Sequence, residues 1–166
     1  MNDFPEKVKQ KLHSIMTEIS EHHWLFSKNP KHDFMRQNTG KLSLYDTMHL
    51  ILTMGKGNTS DEIIDYFDLD YDAIPTNSAF IQRRNQIMLS AFEYLFSEFS
   101  SSFPEITRKF KGHSILAVDG THVCYTTNAQ ITEDYSKPHR SSEKGYNHMH
   151  LNALVDALSK VVIDAV

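Results

Sequence analysis

The apolar residues of this chain change their period near residue 112, and that change constrains the fold more than any other feature. Before it they recur at helical spacing, and after it they gather in short runs suited to strands. In residues 6–22, Val8, Leu12, Ile15 and Ile19 form one stripe of an amphipathic helix. Residues 27–42, with Pro30 and Gly40, read as a loop. Ser43 followed by Asp46 predicts a capped helix start. Leu44, Met48, Ile51 and Leu52 are then expected to face a core, with Gly55 and Gly57 ending the helix. Thr59 and Glu62 repeat the capping-box spacing before Ile63, Ile64 and Phe67, and Asp61, Glu62 and Asp65 suit the positive end of that helix dipole. After a loop over 68–75, Asn77 or Ser78 opens one long helical pattern through Phe80, Ile87, Met88, Ala91 and Leu95, closed by the serines at 100–102 and Pro104.

Residues 114–118 form a short apolar run ending at Asp119 and Gly120, which reads as a buried strand followed by a turn. Residues 122–126 suit a second short strand and the polar residues 127–145 a loop. Residues 148–155 and 160–166 suggest two strands joined by a turn near 156–159. The expected class is α+β, with a helical N-terminal domain over 1–110 and a strand-rich segment over 111–166. The last strand pattern runs straight to Val166, which suggests a fold that continues further. A partial sheet of this kind would expose an edge together with Val161, Val162 and Ile163, so poor stability or aggregation is expected.

With 40% apolar and 23% charged residues, the composition is that of an ordinary globular protein. No stretch approaches the ~20 apolar residues of a membrane span, and the first residues lack the pattern of a secretion signal. Cys124 is the single cysteine, which excludes an internal disulfide framework and a multi-cysteine zinc site. These features favour a cytoplasmic location and no membrane partner. The net charge of −4 lowers the expectation of nucleic-acid binding, but such binding depends on a local basic face rather than the total.

Asp119 is the leading site candidate. A carboxylate beside a buried strand is held rigidly, and the following Gly120 allows close approach. Two-metal phosphoryl transfer needs such carboxylates in convergent groups. The alternative is a simple Asp-Gly hairpin turn. Glu133, Asp134, Glu143, Asp156 and Asp164 read as turn or surface residues. His148 and His150 share a strand face and His122 is near in sequence, but spacing supplies no convincing third ligand, which argues against a histidine metal site. Cys124 reads as a buried structural cysteine. Residues 59–67 and 77–90 could form a helix-turn-helix presenting Thr76, Asn77, Gln82, Arg83 and Arg84 to DNA. The loop of about ten residues exceeds the usual ~3–4, so an ordinary bundle helix with a basic edge stands equally open.

Several runs, taken in order, resemble the insertion-sequence-four family of bacterial transposases. In the helical part they are Tyr45-Asp46-Thr47 through Met54-Gly55, the run from Ser78 to Arg84, and Ala91-Phe92-Glu93-Tyr94-Leu95-Phe96. Leu116-Ala117-Val118-Asp119-Gly120-Thr121 is similar to the family's first catalytic strand. Lys144-Gly145-Tyr146-Asn147 and His150 through Asp156 are similar to its next block. The resemblance implies a ribonuclease-H-like α/β core, truncated here, with Asp119 as the first catalytic and metal-binding Asp and Mg2+ as cofactor. It also implies a helical region that holds DNA at the element's terminal inverted repeats, and a homodimer on paired ends. The family's second Asp and its Glu have no match among these residues, and His122 departs from the polar or acidic residue expected there. The chain by itself is therefore expected to be inactive in cleavage and strand transfer. A DNA-binding or dimerising remnant that inhibits an intact transposase is the alternative.

Overall fold

A computed structural model describes residues 4–35, 42–68, 74–102, 108–125, 135–136 and 145–166. The chain divides into a helical unit, Met1–Ser102, and a sheet unit, Phe103–Val166. Its class is therefore α+β.

The helical unit contains α1 (Phe4–Glu21), α2 (His23–Phe26), α3 (Leu44–Thr53), α4 (Thr59–Tyr66), α5 (Asn77–Gln86) and α6 (Leu89–Ser101). They enclose two apolar clusters that share α3. One joins Ile15, Met16 and Ile19 of α1 to Leu44 and Met48 of α3, Ala91 and Leu95 of α6, Phe34 and Ile87. The other joins Leu42, Leu50, Ile63 and Phe80, with Ile51, Met54 and Phe67 packed around them. Sandwiching explains a correction on α3. Leu50 is buried and Leu52 is 46% exposed, because α3 buries two faces rather than one stripe.

The expected capping box at α3 is present. Ser43 Oγ accepts from Asp46 N at 3.0 Å, and Ser43 N donates to Asp46 Oδ2 at 3.1 Å. At α4 the cap is instead Asn58, whose Oδ1 accepts from Asp61 N at 3.1 Å. Glu62 serves the preceding turn, accepting from Gly55 N at 2.9 Å and Gly57 N at 2.8 Å. The single long helix expected after residue 77 is two helices. At the break, Lys28 N donates to Gln86 O at 2.9 Å and Met88 N donates to Phe26 O at 2.8 Å. Pairing with the segment after α2 replaces two helical residues and lets Ile87 enter the core. No proline or glycine marks this break, so local sequence carried no sign of it.

The sheet unit holds β1 (Leu116–Tyr125), β2 (Tyr135–Ser136), β3 (Tyr146–Asp156) and β4 (Val161–Ala165). All pairings are antiparallel. Residues 147–156 of β3 pair with the whole of β1 along one edge. The short β2 and β4 therefore lie along its other edge, at opposite ends. The expected hairpin between the last two strands is present. Asp156 Oδ1 shapes it by accepting from Leu158 N at 3.0 Å and Ser159 N at 2.8 Å, an Asx-type turn. Asp156 belongs to the turn as expected, yet it is buried, not a surface residue.

Two other expectations are corrected. Asp119 and Gly120 make no turn, since β1 runs unbroken through them with Asp119 opposite Ala153 and Gly120 opposite Asn152. The predicted pair of short strands is thus one strand of ten residues. Nor is it buried, as Val118 is 71% exposed. No helix lies among the described residues of this unit to cover either face. Cys124, expected to be buried, is exposed. Most of the expected 127–145 loop, with Glu133, Asp134 and Glu143, lies outside the described residues.

Candidate functional site

The helical candidates converge on α5. Helices α3, α4 and α5 pack against one another around Leu50, Ile63 and Phe80. Phe80 anchors α5 from the inside, so the opposite stripe, which carries Gln82, is turned outward. Thr76 caps the helix through Oγ1, which accepts from Ala79 N at 3.2 Å. Asn77 Nδ2 donates to Ser60 Oγ at 2.7 Å and ties α5 to the start of α4. Gln82 Nε2 donates to Ser78 Oγ at 3.3 Å along the exposed surface.

The two arginines have different environments. The Arg83 guanidinium lies over the Phe34 ring at 5.1 Å, and Nη1 donates to Gln86 Oε1 at 3.2 Å. Phe34 is buried with a backbone φ of 57°, a conformation that bulky residues avoid, so tertiary packing holds it there. Arg83 also lines a shallow groove of about 330 Å³ with Leu42, Ile74, Pro75, Thr76 and Ala79. Arg84 is exposed, although at i+4 it lies on the same side of α5 as Phe80. Of the five predicted contacts, Gln82 and Arg84 are exposed on the helix body, on different sides of it, and Arg83 is half-buried. Thr76 and Arg83 serve largely to build the helix and its packing.

On the sheet, residues directly opposite share a face. Asp119 therefore projects with Ala117, Thr121 and Val123 from β1 and with Ala153 and Leu151 from β3. Asp156 opposes Leu116 and Asp164 opposes Leu154, which places both on the other face. Among the described residues, Asp119 consequently has no second carboxylate on its face. The buried Asp156 carboxyl is held below its ordinary pKa, chiefly by the Ser159 N–H, against the opposing effect of burial, with help from the Ser159 hydroxyl and the Leu158 N–H. It is a structural group of the turn.

The face opposite Asp119 holds a group that sequence spacing missed. His122 opposes His150 and Cys124 opposes His148. The His122 ring lies 4.9 Å between centroids from each of His148 and His150, edge to face. The missing signal was register: two short-range patterns, one on each strand, meet only once the strands pair. His150 Nε2 lies 3.0 Å from Asn152 Oδ1. Gly120 makes room for this pair, since a Cβ there would fall 2.7 Å from His150 Nε2 and 3.0 Å from Asn152 Oδ1. As they stand, no three His, Cys, Asp or Glu side chains among the described residues are arranged to hold a metal ion. No helix there is long and apolar enough to cross a membrane. No protein-family model, curated protein or solved structure matches this chain significantly.

Proposed function

We propose that this chain is the N-terminal part of a DNA transposase of the insertion-sequence-four family, and that its own role is to hold DNA at the element ends. The observation that carries the reading is the trihelical packing of α3, α4 and α5, which anchors α5 by Phe80 and leaves Gln82 and Arg84 exposed on different sides of that helix. A helix held this way can lie against DNA through Arg84, which can meet phosphate or guanine. The acidic residues Asp61, Glu62 and Asp65 belong to α4, which leaves α5 with arginines and no carboxylate.

Asp119 fits the resemblance in one respect. It lies in mid-strand on the first strand of an antiparallel series, β1 then β3 then β4, as the first carboxylate of a ribonuclease-H-like core would. The residues described do not fit a two-Mg2+ centre, because a single carboxylate cannot clamp two ions in line with a phosphate. The second reading is a DNA-binding remnant that competes with an intact transposase for the same ends or dimerises with it.

The test is binding of the purified chain to duplex DNA, followed by fluorescence anisotropy over a range of salt. Binding should weaken steeply with salt, and Arg84→Ala should reduce the salt slope by about one. Arg83→Ala should instead act mainly on stability, through the lost contact with Phe34. Salt-insensitive binding, or none, would remove the proposal. Enrichment of one sequence from a random duplex pool would favour end recognition over non-specific contact. Mg2+-dependent DNA cleavage by the chain, abolished in Asp119→Asn, would overturn its assignment as a binding part only.

A further inference from the structure

We propose that His122, Cys124, His148 and His150 assemble a site for one zinc-class divalent transition ion on the sheet face opposite Asp119. The four side chains stand at the corners of a square fixed by the β1–β3 ladder: His122 faces His150, Cys124 faces His148, and each strand contributes residues two apart. Directly opposed residues in such a ladder have Cβ atoms about 4.5–5.5 Å apart. Three imidazoles already touch, with ring centroids 4.9 Å apart for both His122 pairs.

The donors do not yet converge, because the rings pack edge to face. In this proposal convergence comes from side-chain rotation of His122, His148 and Cys124 on a fixed backbone. His122 and Cys124 are exposed, and His150 keeps its contact with Asn152.

Two features outside the square point to a ligating role. Asn152 Oδ1 lies 3.0 Å from His150 Nε2, and in the tautomer that donates to it Nδ1 is left as the lone-pair donor. Outer partners of this kind orient metal-bound histidines. Gly120 is the residue that admits the His150–Asn152 pair, as any side chain there would strike His150 Nε2. Imidazole nitrogens and a thiolate select zinc-class ions over Mg2+ or Ca2+, which prefer oxygen. Four such donors suit tetrahedral coordination. The site is separate from Asp119 and does not depend on the transposase reading.

The test is a titration of the untagged, metal-free chain with Zn2+ by calorimetry, and with Co2+ by absorption. One ion per chain should bind at neutral pH, unaffected by excess Mg2+, and binding should weaken in acid as protons compete with the metal for the donors. The Co2+ form should show a thiolate-to-metal band that is absent in Cys124→Ser. His122→Gln should weaken binding by more than about 100-fold, and Gly120→Ala or Asn152→Ala by about 10–100-fold. Unchanged far-ultraviolet dichroism would show that these exposed-site variants keep the sheet. No binding by the parent chain would overturn the proposal. So would equal binding by the folded His122→Gln variant, because six of the chain's ten histidines, His13, His22, His23, His32, His49 and His113, lie elsewhere among the described residues. A bound Co2+ without the thiolate band would overturn the four-donor set.

Discussion

At the scale of single residues, side chains that looked like chemistry turn out to shape backbone, and the reverse. Glu62 was expected to complete a cap at its own helix and instead gathers the N–H groups of Gly55 and Gly57. Gly120 was expected to bend the chain and instead vacates space above a straight strand. Asp156 accepts two turn N–H groups from a buried position, and those bonds lower its pKa from the ordinary 3.8. A carboxyl whose folded pKa is depressed contributes stability above its unfolded value, and loses it as pH falls through the folded value. The stability difference between the parent chain and Asp156→Asn should therefore be constant above about pH 5 and shrink below about pH 4. Urea unfolding across pH 2–7, followed by strand-region hydrogen exchange, would check this. A difference that persists undiminished in acid would show that the carboxylate's charge plays no part in holding the turn.

At the scale of elements, α3 and α5 govern the helical unit. Because α3 is shared, its residues belong to two cores, and a sequence stripe with one face could describe only one of them. Phe80 is fully buried and joins α5 to α3 and α4. Phe80→Ala should cost about 3–5 kcal/mol, in the range of a large aromatic deleted from a packed core. Amide protection should fall first in α4 and α5, while α1 and α6 keep theirs through Ile15, Ile19, Ala91 and Leu95. Uniform loss across all six helices would mean that the two clusters unfold as one. The break between α5 and α6 has the same tertiary origin. Helical propensity favours continuity at Ile87 and Met88, and strand-like pairing with the segment after α2 outweighs it.

At the scale of the whole molecule, the sheet unit presents apolar surface and an open strand edge. Leu116 is 52% exposed, Val118 71%, and Val166 77%, and β1 pairs along one edge alone among the described residues. Such an edge invites pairing with another chain. Concentration-dependent self-association should appear in sedimentation, and Val118→Lys should suppress it by placing a charge on the edge strand. Association unaffected by that change would place the contact elsewhere. Much of the architecture was legible in the sequence, for a physical reason. The period of apolar residues reports which side of an element is buried, so the change near residue 112 gave helices before and strands after. Short-range capping chemistry gave the Ser43 start, since the groups involved are three residues apart. Which strands pair, and in what register, depends on residues some thirty positions apart, as with His122 and His150. Only the folded sheet could therefore set the histidines on one face and Asp119 on the other. Only helix packing could decide that Arg83 lies over Phe34 while Arg84 is exposed.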